Sequence, residues 1–399
     1  MTLLLADVRL VDGRCVDLVC DTGRVVAVHE AGTGPPADER IEGGGRLVLP
    51  APAEPHAHLD KAFTADVVAN PAGDLAGAID AWRREHERLG VDEIAERAER
   101  AVRRLVAAGT TAIRTHVDVA PGIGTRAVEA LVAVRERTRH LVDLQIVALV
   151  AAPTLGAAGA DQRARAREAL AAGADLLGGV PHLEDDVAAA TAGALELAAE
   201  AGVGVDLHVD ETLDPGVLGL ADLARLARDF PQAVTASHCC SLGMQDAVTQ
   251  ARVAEACAAA GVGVVTLPQT NLYLQARGRR TAPPRGLTAL AALREAGVTL
   301  AAGADNLQDP FCVVGRGDPA ETAALLVMAG HLGVPDAWDA VTRGARRVMG
   351  TPAPADGALV SPGDPAELVV VDAPTLRAVV ADAPAGRVVV HRGRRVTGE

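Results

Sequence analysis

Lysine is almost missing from this chain: Lys61 is the only one in 399 residues, and every other basic side chain is arginine. The formal net charge is −14 and no run of basic residues appears, which argues against nucleic acid or an anionic membrane surface as a partner. No stretch of about 18 consecutive apolar residues exists, so no segment is expected to span a bilayer. Leu3-Leu4-Leu5 lacks the charged flank and long apolar stretch of a signal peptide and is read as a strand. The six cysteines form no Cys-x-x-Cys motif, and the vicinal pair Cys239-Cys240 is a poor disulfide framework. Reduced thiols and a cytoplasmic location are expected. Only six aromatic residues occur, so the position of each carries information. What the chain does have is apolar content, 49%, enough for a large core.

The apolar runs change rhythm along the chain. Near the start, short strands separated by Gly/Asp turns cover Leu3–Leu10, Cys15–Cys20, Arg24–Glu30 and Arg46–Leu49. The same texture returns at Ala366–Val371, Arg387–Val390 and Arg395–Val396. Fifty residues at each end are too few for two good cores, so both ends are expected to build one small β-sandwich, residues 1–50 with 350–399. Between them, apolar strands alternate with Ala/Arg/Glu-rich helical segments, several ending on glycine (Gly109, Gly202, Gly261, Gly297) before the next strand. These strands are Thr111–Val117, Leu144–Val150, Leu176–Val180, Gly204–Leu207, Ala233–Ala236, Gly263–Leu267 and Thr299–Ala302; Arg46–Leu49, leading in, makes eight. The predicted fold class is α/β, a TIM-type (β/α)8 barrel over residues 51–349.

Functional residues of such a barrel come from the C-terminal ends of its strands. Six of the 11 histidines fall there: His56, His58, His116, His182, His208 and His238. The other five, His29, His86, His140, His331 and His391, fall in terminal β, helix or loop positions and look inert. His56 and His58, at i and i+2, point the same way because strand side chains alternate. With His208 and Asp305 they can converge over the barrel mouth. Three neutral imidazoles and a carboxylate suit one divalent ion, Zn²⁺ or Fe²⁺, which would lower the pKa of a bound water and make it a hydroxide nucleophile. His238 is placed to hold or deprotonate that water, and Glu211, three residues past His208, to carry a proton to the leaving group. Glu211, His238 and Asp305 are the expected catalytic residues.

The ordered set resembles the amidohydrolase superfamily, and within it the cytosine deaminase branch. The matching stretches are Glu-Pro-His-Ala-His-Leu-Asp at 54–60, Arg-Thr-His-Val-Asp at 114–118, Leu-Gln-Ile-Val-Ala at 144–148 and Val-Pro-His-Leu-Glu at 180–184. They continue with Leu-His-Val-Asp-Glu at 207–211, Ala-Ser-His at 236–238 and Leu-Gln-Ala-Arg at 274–277. By the resemblance His56, His58, His208 and Asp305 hold the metal, His238 activates water and Glu211 shuttles the proton. Other branches bridge two metals with a carboxylated lysine after strand four. Here Pro181-His182 stands there and the only lysine follows strand one, so a single metal is expected. The chain also departs from the branch. Ala151 stands where a glutamine reads the pyrimidine edge, Asn306 where a second aspartate follows the metal ligand, and Phe311 where a tryptophan is usual. Poor activity on cytosine follows, with preference for a larger or differently substituted ring, one bearing a carboxylate or carbonyl near Lys61.

Plainer readings stand beside these. Lys61 can be a rim salt bridge or a substrate contact. Phe63, Tyr273 and Phe311 can stack on a planar ring or pack a lid, and Trp82 can do either. His116 with Asp118, and His182 with Glu184, can be buried structural pairs. Cys239-Cys240 fits packing behind His238. The residues expected to meet substrate are Lys61, Ala151, Tyr273, Asn306 and Phe311. The expected reaction is hydrolytic deamination of a small N-heterocycle. Cleavage of a cyclic amide, or an inert barrel that only binds metal or ligand, are the alternatives. A homo-oligomer is compatible with the sequence.

Overall fold

The computed structural model describes residues 2–397, which form two eight-stranded sheets. The first comes from both ends of the chain: Leu3–Arg9, Cys15–Asp21, Arg24–Glu30, Glu39–Glu42, Leu47–Pro50, Leu368–Val371, Val388–His391 and Arg394–Thr397. Leu47–Pro50 joins the ends by pairing antiparallel with Leu368–Val371, Leu49 opposite Val369. Period-two alternation then serves two cores. Leu3, Leu5, Leu18, Val48, Leu368, Val370 and Val390 fill one cluster inside the sheet. Leu47, Leu49, Val369, Val371 and Val389 face the other way, onto Trp338 and Leu326 of the barrel-side helices.

The second sheet is the barrel. Its parallel strands are Ala53–Ala57, Ala112–Val119, Asp143–Val150, Leu176–Gly179, Gly204–Val209, Val234–His238, Gly263–Thr266 and Leu300–Ala302. The apolar run ending at Leu49 is thus not its first strand, as the sequence suggested. Leu47–Pro50 buries side chains on both faces because it lies between the two terminal-sheet cores. The true first strand carries Glu54 and His56 and gives no apolar signal. Helices cover the barrel. On Val91–Ala107, Ile94, Ala98, Ala101, Val102 and Leu105 make the buried stripe. Gly202 and Gly261 end their helices in the left-handed region, φ 70° and 67°, where a β-carbon is disfavoured.

The last strand closes on the first around the site. Asp305 N donates to His56 O at 3.0 Å and His58 N to Asp305 O at 3.3 Å. Buried Glu54 ties the seam, accepting from His56 N at 3.1 Å and Ala304 N at 2.9 Å. Gly303 permits this, since a β-carbon there would lie 2.3 Å from Glu54 Oε1. Among the described residues no helix is long and apolar enough to cross a membrane, and all six cysteines are free, five of them buried.

Candidate metal and catalytic site

The side chains of His56, His58, His208 and Asp305 meet at the C-terminal barrel mouth, all nearly excluded from solvent. His58 Nε2 lies 3.3 Å from both His208 Nε2 and Asp305 Oδ1, and His56 Nε2 3.7 Å from Asp305 Oδ1. Their tautomers can be read from their partners. Ser237 Oγ donates to Asp206 Oδ1 at 2.8 Å, so it accepts from His56 Nδ1 at 2.9 Å. Asp206 is itself held by Arg114 Nη1 at 2.8 Å. The His116 carbonyl takes His58 Nδ1 at 3.2 Å. His56 is thus left with a bare Nε2 turned toward the cluster, as metal ligation requires; on His58, whose Nδ1 also lies 3.3 Å from the Lys61 ammonium, a bare Nε2 follows where Nδ1 donates to the carbonyl. Burial and neighbouring imidazoles hold His56 and His208 well below their ordinary pKa, and burial with Lys61 does so for His58, so all three are neutral.

The donor set fits a cation. His56 Nε2 and both Asp305 oxygens are buried without a hydrogen-bond partner, a costly state unless a charge completes them. Two groups reach ligand distance of one another: His56, His58 and Asp305, and His56, His116 and His208. His116 stacks on His56 at 3.8 Å between ring centroids, and both its ring nitrogens lack hydrogen bonds. It therefore stands nearer the metal-binding atoms than its sequence position suggested.

Beside the cluster, His238 Nδ1 lies 3.5 Å from Glu211 Oε1 and 3.1 Å from Asn271 Nδ2, and His238 Nε2 lies 4.0 Å from Asp305 Oδ2. Burial lowers His238 to about 4. Burial, then the Asp305 charge, pushes the Glu211 carboxyl well above the usual carboxylate range. His238 and Asp305 stand at φ 70° and 66°, left-handed conformations that cost about 1–3 kcal/mol each and cluster at working sites. Asp210 is different: its carboxylate caps the next helix through Gly219 N and Leu220 N, both at 2.9 Å.

The cavity above is bordered by Lys61, Ala151, Asn306 and Phe311 but not by Tyr273, whose ring carries the Arg277 guanidinium 4.2 Å away. Lys61 is both a salt bridge and a cavity wall. Its ammonium lies 3.0 Å from Asp118 Oδ1 and 3.7 Å from Asp60 Oδ1, and 5.6 Å from each of the Trp82 and Phe311 rings. Trp82 Nε1 donates to the other Asp118 oxygen. His182 borders the cavity with Nε2 unpartnered, lowered to about 4 by burial. Its sequence neighbour Glu184 instead accepts from Thr154 Oγ1 at 2.8 Å. Phe63 lies under Arg100, at 4.1 Å, and outside the cavity. His86, read as inert, borders the cavity below Trp82.

Sequence reasoning missed the supports: Arg114, Asp206, Ser237, Asn271 and Asp309. Arg114 and Asp206 each precede a site histidine by two residues, so strand alternation could have flagged them. Asp309 lies on a loop and Asn271 on the short helix Pro268–Leu274, and neither offered such a signal.

The family model described as "Amidohydrolase family" matches residues 88–397. A pterin deaminase of Rhizobium rhizogenes (strain K84 / ATCC BAA-868) is 36% identical over 386 residues, covering 95% of this chain and 87% of that protein. Among solved structures, 5-methylcytosine deaminase from Klebsiella pneumoniae liganded with 5-fluorocytosine superposes with TM-score 0.88 at 28% identity, over 100% of this chain and 98% of that one. N-isopropylammelide isopropylaminohydrolase from Burkholderia multivorans ATCC 17616 gives TM-score 0.83 at 30% identity, over 99% and 98%.

Proposed function

The chain belongs to the amidohydrolase family, and we propose that within it this protein deaminates a pterin-sized bicyclic N-heterocycle rather than cytosine. It is a metal-dependent amidohydrolase acting on C–N bonds. The observation that carries the substrate reading is the cavity wall: Ala151 leaves open the side from which a longer amide would reach a pyrimidine, and apolar Leu75, Ile79, Leu149 and Leu183 line the space where a second ring would pack. A bicyclic lactam also matches the polar wall. Lys61 can donate to a ring carbonyl while Asp118 accepts from the adjacent ring N–H. A carboxylate on that side is disfavoured, because Asp118 and Asp60 already oppose the single lysine charge.

His56, His58, His208 and Asp305 would hold one divalent ion, Zn²⁺ or Fe²⁺, which when bound lowers the pKa of a water toward neutrality. With the Asn271 amide turned so that its Oδ1 accepts from Nδ1, neutral His238 presents a bare Nε2 that takes a proton from the attacking water, and Asp305, facing it, steadies the imidazolium. Glu211, on the far side of His238, delivers its proton to the departing amino nitrogen. The N-isopropylammelide enzyme favours a second reading, loss of an alkylamine from a triazine-like ring on the same groups.

The test is turnover by the metal-loaded protein on pterin, cytosine and N-isopropylammelide, with ammonia and amine release both measured. Ammonia from pterin at kcat/KM above about 10⁴ M⁻¹s⁻¹, with cytosine below it, is expected. Faster amine release from the triazine, ring-opened product without ammonia, or metal binding with no turnover overturns the reading.

A further inference from the structure

The chain is strongly acidic overall, yet at the opposite end of the barrel one cleft gathers arginines from four separate segments: Arg24, Arg139, Arg346, Arg392 and Arg394. Only two carboxylates, Asp143 and Glu367, border it. Those two are already engaged. Asp143 pairs with Arg392, and Glu367 Oε2 accepts from His391 Nδ1 at 2.9 Å. Arg346 is buried with Nε and Nη2 on the Ala51 carbonyl and Nη2 3.8 Å from Glu367 Oε2. Arg139 has only a distant neighbour, Glu136 at 3.8 Å. The Arg394 side chain meets no hydrogen-bond or ion-pair partner among the described residues.

A second observation points the same way. His391 borders the cleft, is 3% exposed, and its Nε2 is buried with no hydrogen-bond partner; Asp143 Oδ1 stands off at 3.9 Å. With Nδ1 donating to Glu367, the neutral ring offers Nε2 as a lone-pair acceptor, which the hydroxyl of a hydrogen phosphate can meet. Among the described residues Arg24 and Arg394 meet no carboxylate and Arg139 only a distant one, and beside a buried lone-pair nitrogen they form an arrangement that a hydrogen phosphate completes. Guanidinium forks match the paired oxygens of a phosphate better than a single point charge does.

We propose that this cleft, between the terminal sheet and the N-terminal face of the barrel, is a second binding site for a phosphate-bearing small molecule. It is distinct from the catalytic cavity. Asp143 opens the third barrel strand and Ala151 follows its end, so the strand separates the two sites by about 25 Å at 3.3 Å per residue.

The experiment is titration calorimetry of the metal-loaded protein with inorganic phosphate at constant ionic strength. One saturable site is expected. Arg139→Ala and Arg394→Ala, both at exposed positions, should each weaken it roughly 10-fold, the scale of one charge-assisted contact. Their Tm and turnover should match the parent. Glu211→Gln, at the other end of the barrel, should bind phosphate as the parent does. The proposal is overturned by no saturable heat, by affinity unchanged in both arginine variants, or by binding that vanishes when the catalytic metal is removed.

Discussion

Asn306 carries one amide hydrogen that the protein does not use. Its Oδ1 accepts from Thr270 Oγ1 at 3.1 Å, and its Nδ2 donates to Asp309 Oδ2 at 2.9 Å. Asp309 Oδ1 is taken by Phe311 N and Cys312 N. The second Nδ2 hydrogen remains at a residue bordering the cavity, so a substrate is met by a donor where an aspartate would offer an acceptor. Asn306→Asp would face Asp309 with a second carboxylate. Burial already raises Asp309 from 3.8 to about 7. A folded-state pKa above the unfolded value gives stability that is present at low pH and lost as pH rises through the folded pKa. The variant should therefore fall further below the parent in Tm at about pH 8 than at about pH 5. A pH-independent deficit would show that the two carboxylates do not share a proton. Glu211→Gln is isosteric and should keep fold and metal content while lowering kcat roughly 10²-fold or more. Near-normal turnover would place the proton shuttle elsewhere.

The element that shapes the cavity is the helix Leu75–Glu85 with the turn after it. Asp74 starts it by accepting from Gly77 N at 2.8 Å. Leu75, Ile79, Trp82 and His86 follow at i, i+4, i+7 and i+11 and all border the cavity. That stripe was visible in the sequence, but it is indistinguishable there from an ordinary core-facing helix, because nothing local says the buried side faces a substrate. The strand-end histidines were legible for the opposite reason: barrel geometry fixes where strand ends point, whatever the rest of the chain does. Trp82→Phe keeps a ring over Lys61 and removes only the indole N–H bound to Asp118. Tm should move little, whereas kcat/KM should fall about 10- to 100-fold, the range for a hydrogen bond to a charged group. An unchanged kcat/KM would reduce Trp82 to packing.

At the scale of the molecule, strand count and order were legible because each β/α unit repeats the same change of period. What depends on distant segments meeting was not. Arg46–Leu49 was counted both in the terminal sheet, where it belongs, and as the first barrel strand, since only its partner Leu368–Val371 decides that. The arginine cleft is invisible in a chain without a basic run, because its members lie up to 370 residues apart, from Arg24 to Arg394. The metal couples site and fold at this same scale. Without a cation the barrel mouth buries an Asp305 carboxylate and a His56 Nε2 that nothing completes. An ion that binds only the folded chain adds RT ln(1 + [M]/Kd), about 2.7 kcal/mol at a hundredfold excess over Kd. Chelation should lower Tm by several degrees, and restoring Zn²⁺ or Fe²⁺ should recover it. His208→Ala should show no chelator-dependent shift, and elemental analysis of the parent should find one ion per chain. Two ions per chain would bring His116 in as a ligand through its group with His56 and His208 and end the single-ion reading; a Tm indifferent to chelation would end the coupling itself.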